Sequence, residues 1–169
     1  VKMCIVAAEK KHKNLEILGR LSESFLLSLE RQHFSLEIVG VTSSYLAEKG
    51  VPLKPYITCH GRRTRAETLS IIENSDLLLL PSYTEGNPKV AWEAVQLGTL
   101  PVLSTTLTFS GFTHREYPYR FDPRDPNDFV NTVQKAAREF MGVRMNDYFL
   151  VSDKDDVRDL YESAYSEIL

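Results

Sequence analysis

Four consecutive leucines, Leu77-Leu78-Leu79-Leu80, run between Ser75-Asp76 and Pro81. A strand built from this run is apolar on both faces, so its sheet must be covered on both sides, as parallel sheets in α/β proteins are. The run has companions. Met3-Cys4-Ile5-Val6-Ala7-Ala8, Leu36 to Val41, Tyr56-Ile57-Thr58-Cys59 and Pro101-Val102-Leu103-Ser104 read as further strands, and Tyr117 to Phe121 as a sixth. Between them the apolar spacing changes to that of helices. Asn14 to about Gln32 carries Leu15, Ile17, Leu18, Leu21, Phe25, Leu26 and Leu29 at that spacing. A short helix is expected over Ser44 to Lys49. Thr64-Arg65-Ala66-Glu67 is a capping box that starts a helix ending near Asn74. Pro88 to Leu97 forms the next, with Gly98 just past its end. Asp125 opens a helix to about Met141, and Ser152 another that carries Val157, Leu160, Tyr161, Tyr165 and Ile168.

Strands alternating with helices build βαβ units. The expected fold is a doubly wound, mostly parallel six-stranded Rossmann-like α/β sheet with helices on both faces. It forms a single domain over residues 1–169, and a chain of this length supports one ordinary core. Such sheets bind ligands beyond the carboxyl ends of their strands. The loops of interest follow Ala8, Val41, Cys59, Leu80 and Ser104.

Several function classes fall away. Twenty basic against 23 acidic residues give a net charge of −3, the opposite of the basic excess of a nucleic-acid binder. No apolar stretch approaches the ~20 residues of a membrane-spanning helix. Cys4 and Cys59 lie in apolar runs and read as a buried, reduced pair of a cytoplasmic protein. No Gly-x-Gly-x-x-Gly follows the first strand, no Gly-Lys-Ser/Thr closes a phosphate loop, and no Gly-x-Ser-x-Gly elbow occurs. The first strand ends without an acidic pair, against a receiver-like signalling module.

The loop Pro81-Ser82-Tyr83-Thr84-Glu85-Gly86-Asn87-Pro88 and the helix after it are richer. Gly86 lets backbone approach a ligand closely. The helix points its free N–H groups and positive dipole end into the cleft, where an anion is favoured. Lys89, in the first turn, opposes that dipole unless an anion sits nearby. Glu93 follows at i,i+4 from Lys89, a spacing that also admits a plain surface ion pair. His60 on its own reads as an ordinary loop histidine.

Pro-Ser-x-x-Glu-Gly-x-Pro, then Glu93-Ala94, Gly98 and Pro101-Val102, resembles the signature of family-4 retaining glycosyltransferases, enzymes of the two-domain GT-B fold. Glu85 and Glu93 enclose seven residues, the spacing of that family's paired glutamates. Lys13-Asn14, Gly40, Gly61 and Ser75-Asp76 fit the same frame, and the resemblance covers about residues 2 to 140 of a C-terminal, donor-binding domain. It implies that Glu93 holds the ribose hydroxyls of a nucleoside-diphosphate-sugar and that Glu85 lies against the donor sugar. Backbone N–H groups of Gly86 and Asn87, ahead of Pro88 and Lys89, would meet sugar and diphosphate. Lys13 would neutralise the diphosphate leaving group, and backbone groups of Cys59 and His60 would contact the base. No metal and no cofactor beyond the nucleotide-sugar donor substrate is implied.

The acceptor would be held by a missing N-terminal half of a parent enzyme, through which alone a membrane would be touched, and this chain alone would be inactive. Two departures stand out. Ala8 occupies the place of the family's arginine, five residues before the lysine. Thr105 to Phe112 replaces the usual Gly-Gly and glutamate after the fifth strand. They keep a second expectation open: a non-catalytic transferase-like domain that binds a nucleotide, a glycan or a protein.

Overall fold

A computed structural model of the chain describes residues 1–21, 33–85, 89–105 and 117–142. The leucine run forms a strand in which all four residues are buried. It lies inside a six-stranded sheet of β1 (Lys2–Val6), β2 (Ser35–Val39), β3 (Ile57–Gly61), β4 (Leu77–Leu80), β5 (Leu100–Ser104) and β6 (Arg120–Phe121). The spatial order is β3-β2-β1-β4-β5-β6. Every recorded pair is parallel, with Cys4 opposite Glu37 on one side and Leu78 on the other. The expected doubly wound Rossmann-like sheet is therefore present.

The helices are α1 (Glu16–Gly19), α2 (Ser43–Glu48), α3 (Arg65–Glu73), α4 (Lys89–Gln96) and α5 (Pro126–Glu139). Local chemistry sets their starts. Thr64 accepts from the Glu67 N–H while Glu67 reaches back to Thr64, the reciprocal box expected from the sequence. Asp125 accepts from the N–H groups of Asn127 and Asp128, with Pro126 at the first helical position. Ile5, Ile17, Ile38, Leu46, Ile72, Phe121 and Phe129 are among the largest fully buried side chains, and all belong to one hydrophobic core.

Some elements differ from expectation. The helix expected from Asn14 begins at Glu16, because Asn14 adopts a left-handed backbone (φ 53) that no α-helix accommodates. It ends at Gly19, short of the expected Gln32, with Arg20 as its C-cap, and residues 22–32 lie outside the described residues. At Gly19 a Cβ would collide with the Lys49 carbonyl, so the chain passes close to the end of α2. β3 runs two residues past Cys59, so Cys59 and His60 sit in an edge strand rather than in the loop after it. The register shifts there: Cys59 pairs with Ile38 and Gly61 with Val39. β6 is shorter than Tyr117 to Phe121. Cys4 is buried, but Cys59 is only half-buried, and both thiols are free. The helix expected from Ser152, Gly86-Asn87-Pro88 and the segment through Phe112 lie outside the described residues. No helix among the described residues is long and apolar enough to cross a membrane.

Candidate functional site

The strand order reverses between β1 and β4. β1 continues outward to β2 and β3, whereas β4 leads to β5 and β6. The loops leaving such neighbours diverge and open a crevice at the carboxyl edge of the sheet. The loop after β1 supplies Lys13 and the loop after β4 supplies Glu85. The Lys13 Nζ donates to Glu85 Oε1 at 2.5 Å, across 72 positions of sequence. Both side chains are mostly sheltered, at 20% and 10% exposure. The Ser82 hydroxyl donates to the same Glu85 oxygen at 2.6 Å. Ser82 is itself held through its carbonyl, which accepts from the Ser104 hydroxyl at the end of β5. Two residues predicted from the sequence thus meet at the switch point.

Close packing of backbone shapes the same edge. Gly40, just after β2, adopts φ +96, and a Cβ there would run into the carbonyl oxygen of Ala7. The Gly40 N–H donates to the Gly61 carbonyl at 2.7 Å. Beyond Ala8, Glu9 turns away from the switch point: its carboxylate accepts from the Thr42 N–H and hydroxyl at 2.8 and 2.7 Å. The Thr42 hydroxyl, its N–H and the nearby Arg62 charge hold the Glu9 carboxyl below the usual glutamate range.

Glu93 lies one turn into α4. Its ion-pair partner is Arg65, at the start of α3, with Nη2 and Oε1 2.7 Å apart. The i,i+4 pair with Lys89 that the spacing admits does not form, and Lys89 stands exposed at the first residue of α4. No sequence pattern links Arg65 to Glu93, because the pair depends on how α3 and α4 pack. Asn14 and Ser82 are not among the site residues expected from the sequence, yet both are buried beside the Lys13–Glu85 pair. The Asn14 signal was present in the sequence: an asparagine directly after a lysine at the end of a polar loop suits a left-handed residue.

Cys59 and His60 stand apart from this cluster. The Cys59 thiol donates to the Val41 carbonyl at 3.2 Å, and the His60 Nε2 contacts the Glu37 carboxylate on the neighbouring strand. His60 is therefore a strand residue paired across β2 and β3. Among the described residues, no three histidine, cysteine or acidic side chains gather as they would around a metal ion.

The chain is a Rossmann-like α/β domain with a paired lysine and glutamate at its switch point. Residues 3–139 match the family of glycosyl transferases group 1, and the chain belongs to that family. No curated protein sequence matches it. Solved structures share the fold. A UDP-forming trehalose-phosphate synthase from Burkholderia xenovorans superposes with a TM-score of 0.63 at 16% identity, over 80% of this chain and 36% of its own. A sucrose-phosphate synthase from Thermosynechococcus elongatus gives 0.61 at 20% identity, over 83% and 37%. The catalytic domain of a cholesterol-α-glucosyltransferase from Helicobacter pylori gives 0.58 at 17% identity, over 82% of this chain and 87% of its own. The chain thus spans little more than a third of the two synthases.

Proposed function

We propose that this chain is the donor-binding half of a retaining glycosyltransferase of the GT-B type. The parent enzyme would move a sugar from a nucleoside-diphosphate-sugar to an acceptor held by a second, N-terminal half. The observation that carries this reading is the Lys13–Glu85 pair, steadied by Ser82, at the crevice between β1 and β4.

Each group has a chemical task. In the free chain Lys13 and Glu85 neutralise one another. An arriving diphosphate offers Lys13 a denser negative charge, and Glu85 is then released to accept hydrogen bonds from the hydroxyls of the donor sugar. As the glycosidic bond breaks, charge grows on the leaving phosphate. The Lys13 ammonium, the Gly86 and Asn87 N–H groups, Lys89 and the start of α4 would take it up. Glu93 would accept from the ribose diol through the oxygen that Arg65 leaves open. Backbone groups near Cys59 and His60, at the end of the edge strand β3, would border the base.

Ala8, in the place of the family's arginine, favours a second reading: a domain that binds the nucleotide without catalysis. Turnover by the full-length parent separates the two.

The test is a thermal-shift screen of nucleoside diphosphates and their sugars on the purified chain. A ligand at 100 times its dissociation constant adds about 2.7 kcal/mol of stability. Stabilisation by at least one nucleoside diphosphate is expected. Absence of any shift across UDP, GDP, ADP and their sugars overturns the reading.

A further inference from the structure

Asn14 is completely buried, although asparagine is a polar residue that buries only when satisfied. Its backbone is left-handed, a conformation that asparagine tolerates better than most side chains. Its Nδ2 donates to the Pro81 carbonyl at 2.9 Å and to the Pro123 carbonyl at 2.7 Å. An amide nitrogen carries two hydrogens, and both are used. The two acceptors lie in different segments. Pro81 opens the loop that carries Ser82 and Glu85, and Pro123 precedes α5.

A second tie stands on the other side of Lys13. The Tyr83 N–H donates to the His12 carbonyl at 2.8 Å. The residues immediately before and after Lys13 are therefore both fastened to the Glu85 loop, one through His12 and Tyr83, the other through Asn14 and Pro81. Lysine is a long side chain that loses much rotamer freedom when ordered, so its amine is placed well only if its backbone is.

We infer that Asn14 is a positioning residue: its side-chain amide fixes the Lys13 backbone against the loop after β4 and so sets the Lys13 amine on Glu85. The placement stands on the hydrogen bonds themselves. Its consequence for donor binding rests on the function proposed above.

The test has two arms. The first needs no ligand. Native chain is acetylated with a limiting amine-reactive ester, and modification of each lysine is followed by mass spectrometry. Lys10 and Lys11, both exposed, serve as internal references. In the unaltered chain Lys13 should react several-fold more slowly than either. Asn14→Gly removes both donors while glycine keeps the left-handed backbone available. It should bring Lys13 up to the reactivity of Lys10 and Lys11, as should Glu85→Gln, with the chain still folded by circular dichroism. A folded Asn14→Gly chain in which Lys13 stays protected overturns the inference. If Asn14→Gly does not fold, Asn14→Asp, which sets a carboxylate oxygen against the two carbonyls, is read in the same way.

The second arm measures nucleoside diphosphate affinity. Asn14→Gly should weaken it by about the same factor as Lys13→Ala, measured at a temperature where the variant is still folded. Unaltered affinity in the folded variant would overturn the inference. If the unaltered chain binds no nucleoside diphosphate, the proposed function fails, and the acetylation arm still decides the role of Asn14.

Discussion

The Glu93 carboxylate meets the Arg65 guanidinium at 2.7 Å, joining the middle of α4 to the start of α3. Glu93 is largely sheltered, at 20% exposure, whereas Arg65 is open to solvent at 76%. An exposed partner contributes little to stability, typically below about 1 kcal/mol. The pair therefore serves mainly to orient the carboxylate.

Glu93→Gln should accordingly leave urea stability within about 1 kcal/mol of the unaltered chain. It should weaken nucleoside diphosphate binding by roughly tenfold or more, since a charge-assisted hydrogen bond is worth about 1.5–3 kcal/mol. Titration calorimetry reads the second effect. A large stability loss with unchanged affinity would make Glu93 a structural residue.

Lys13 and Glu85 are more sheltered than Arg65, so their separation costs more. Lys13→Met leaves the Glu85 carboxylate with the Ser82 hydroxyl alone, and should destabilise by about 1–3 kcal/mol. Lys13→Met combined with Glu85→Gln should recover most of that loss, because no lone charge remains. A chemical-denaturation double-mutant cycle measures the coupling; additive losses would show that the pair is not coupled. If the function proposed above holds, Lys13→Ala in a full-length enzyme carrying this domain should lower kcat more than it raises the donor KM, because leaving-group charge grows toward the transition state.

Stability should fall on acidification in a defined direction. Glu67 accepts from the Thr64 hydroxyl and N–H as Glu9 does from Thr42, and both carboxyls are held below the usual glutamate range by those hydrogen bonds. In the unfolded chain they titrate near about 4.3. Unfolding therefore takes up protons below that pH, and stability drops as pH falls. Their contribution is fully present above about pH 5 and vanishes below the folded-state values. Glu9→Gln and Glu67→Gln should each flatten this acid limb in pH-dependent melting. An unchanged limb in both variants would show that other groups govern it.

The two thiols should separate kinetically. Burial raises the Cys4 thiol to about 12, which leaves almost no thiolate at pH 8. Cys59 is half-buried at the edge strand. Ellman's reagent should label one cysteine in the native chain and the second only on unfolding. Prompt labelling of both would contradict the burial of Cys4.

Much of the fold was legible because its signals are local. The leucine run, the Thr64–Glu67 box and Asp125-Pro126 each fix an element within a few residues. The length of β3 was not legible, since Cys59-His60-Gly61 is held in the sheet by β2 rather than by its own pattern. Nor was the start of α1, where apolar spacing suggested helix from Asn14 while two distant carbonyls hold that residue left-handed. The site divides in the same way. Lys13, Glu85 and Glu93 stand out through the family resemblance, whereas Arg65, Ser82 and Asn14 enter through contacts that only the packed structure creates.

The central claim, that the crevice between β1 and β4 receives a nucleoside diphosphate with its ribose on Glu93, is tested most directly by paired titration. Ribonucleoside diphosphates and their 2′,3′-dideoxy counterparts are compared on the unaltered chain by calorimetry. Loss of the diol should weaken binding roughly tenfold or more, by about 1.5–3 kcal/mol, and Glu93→Gln should abolish the difference. Equal affinity for both forms, or binding of neither, would contradict it.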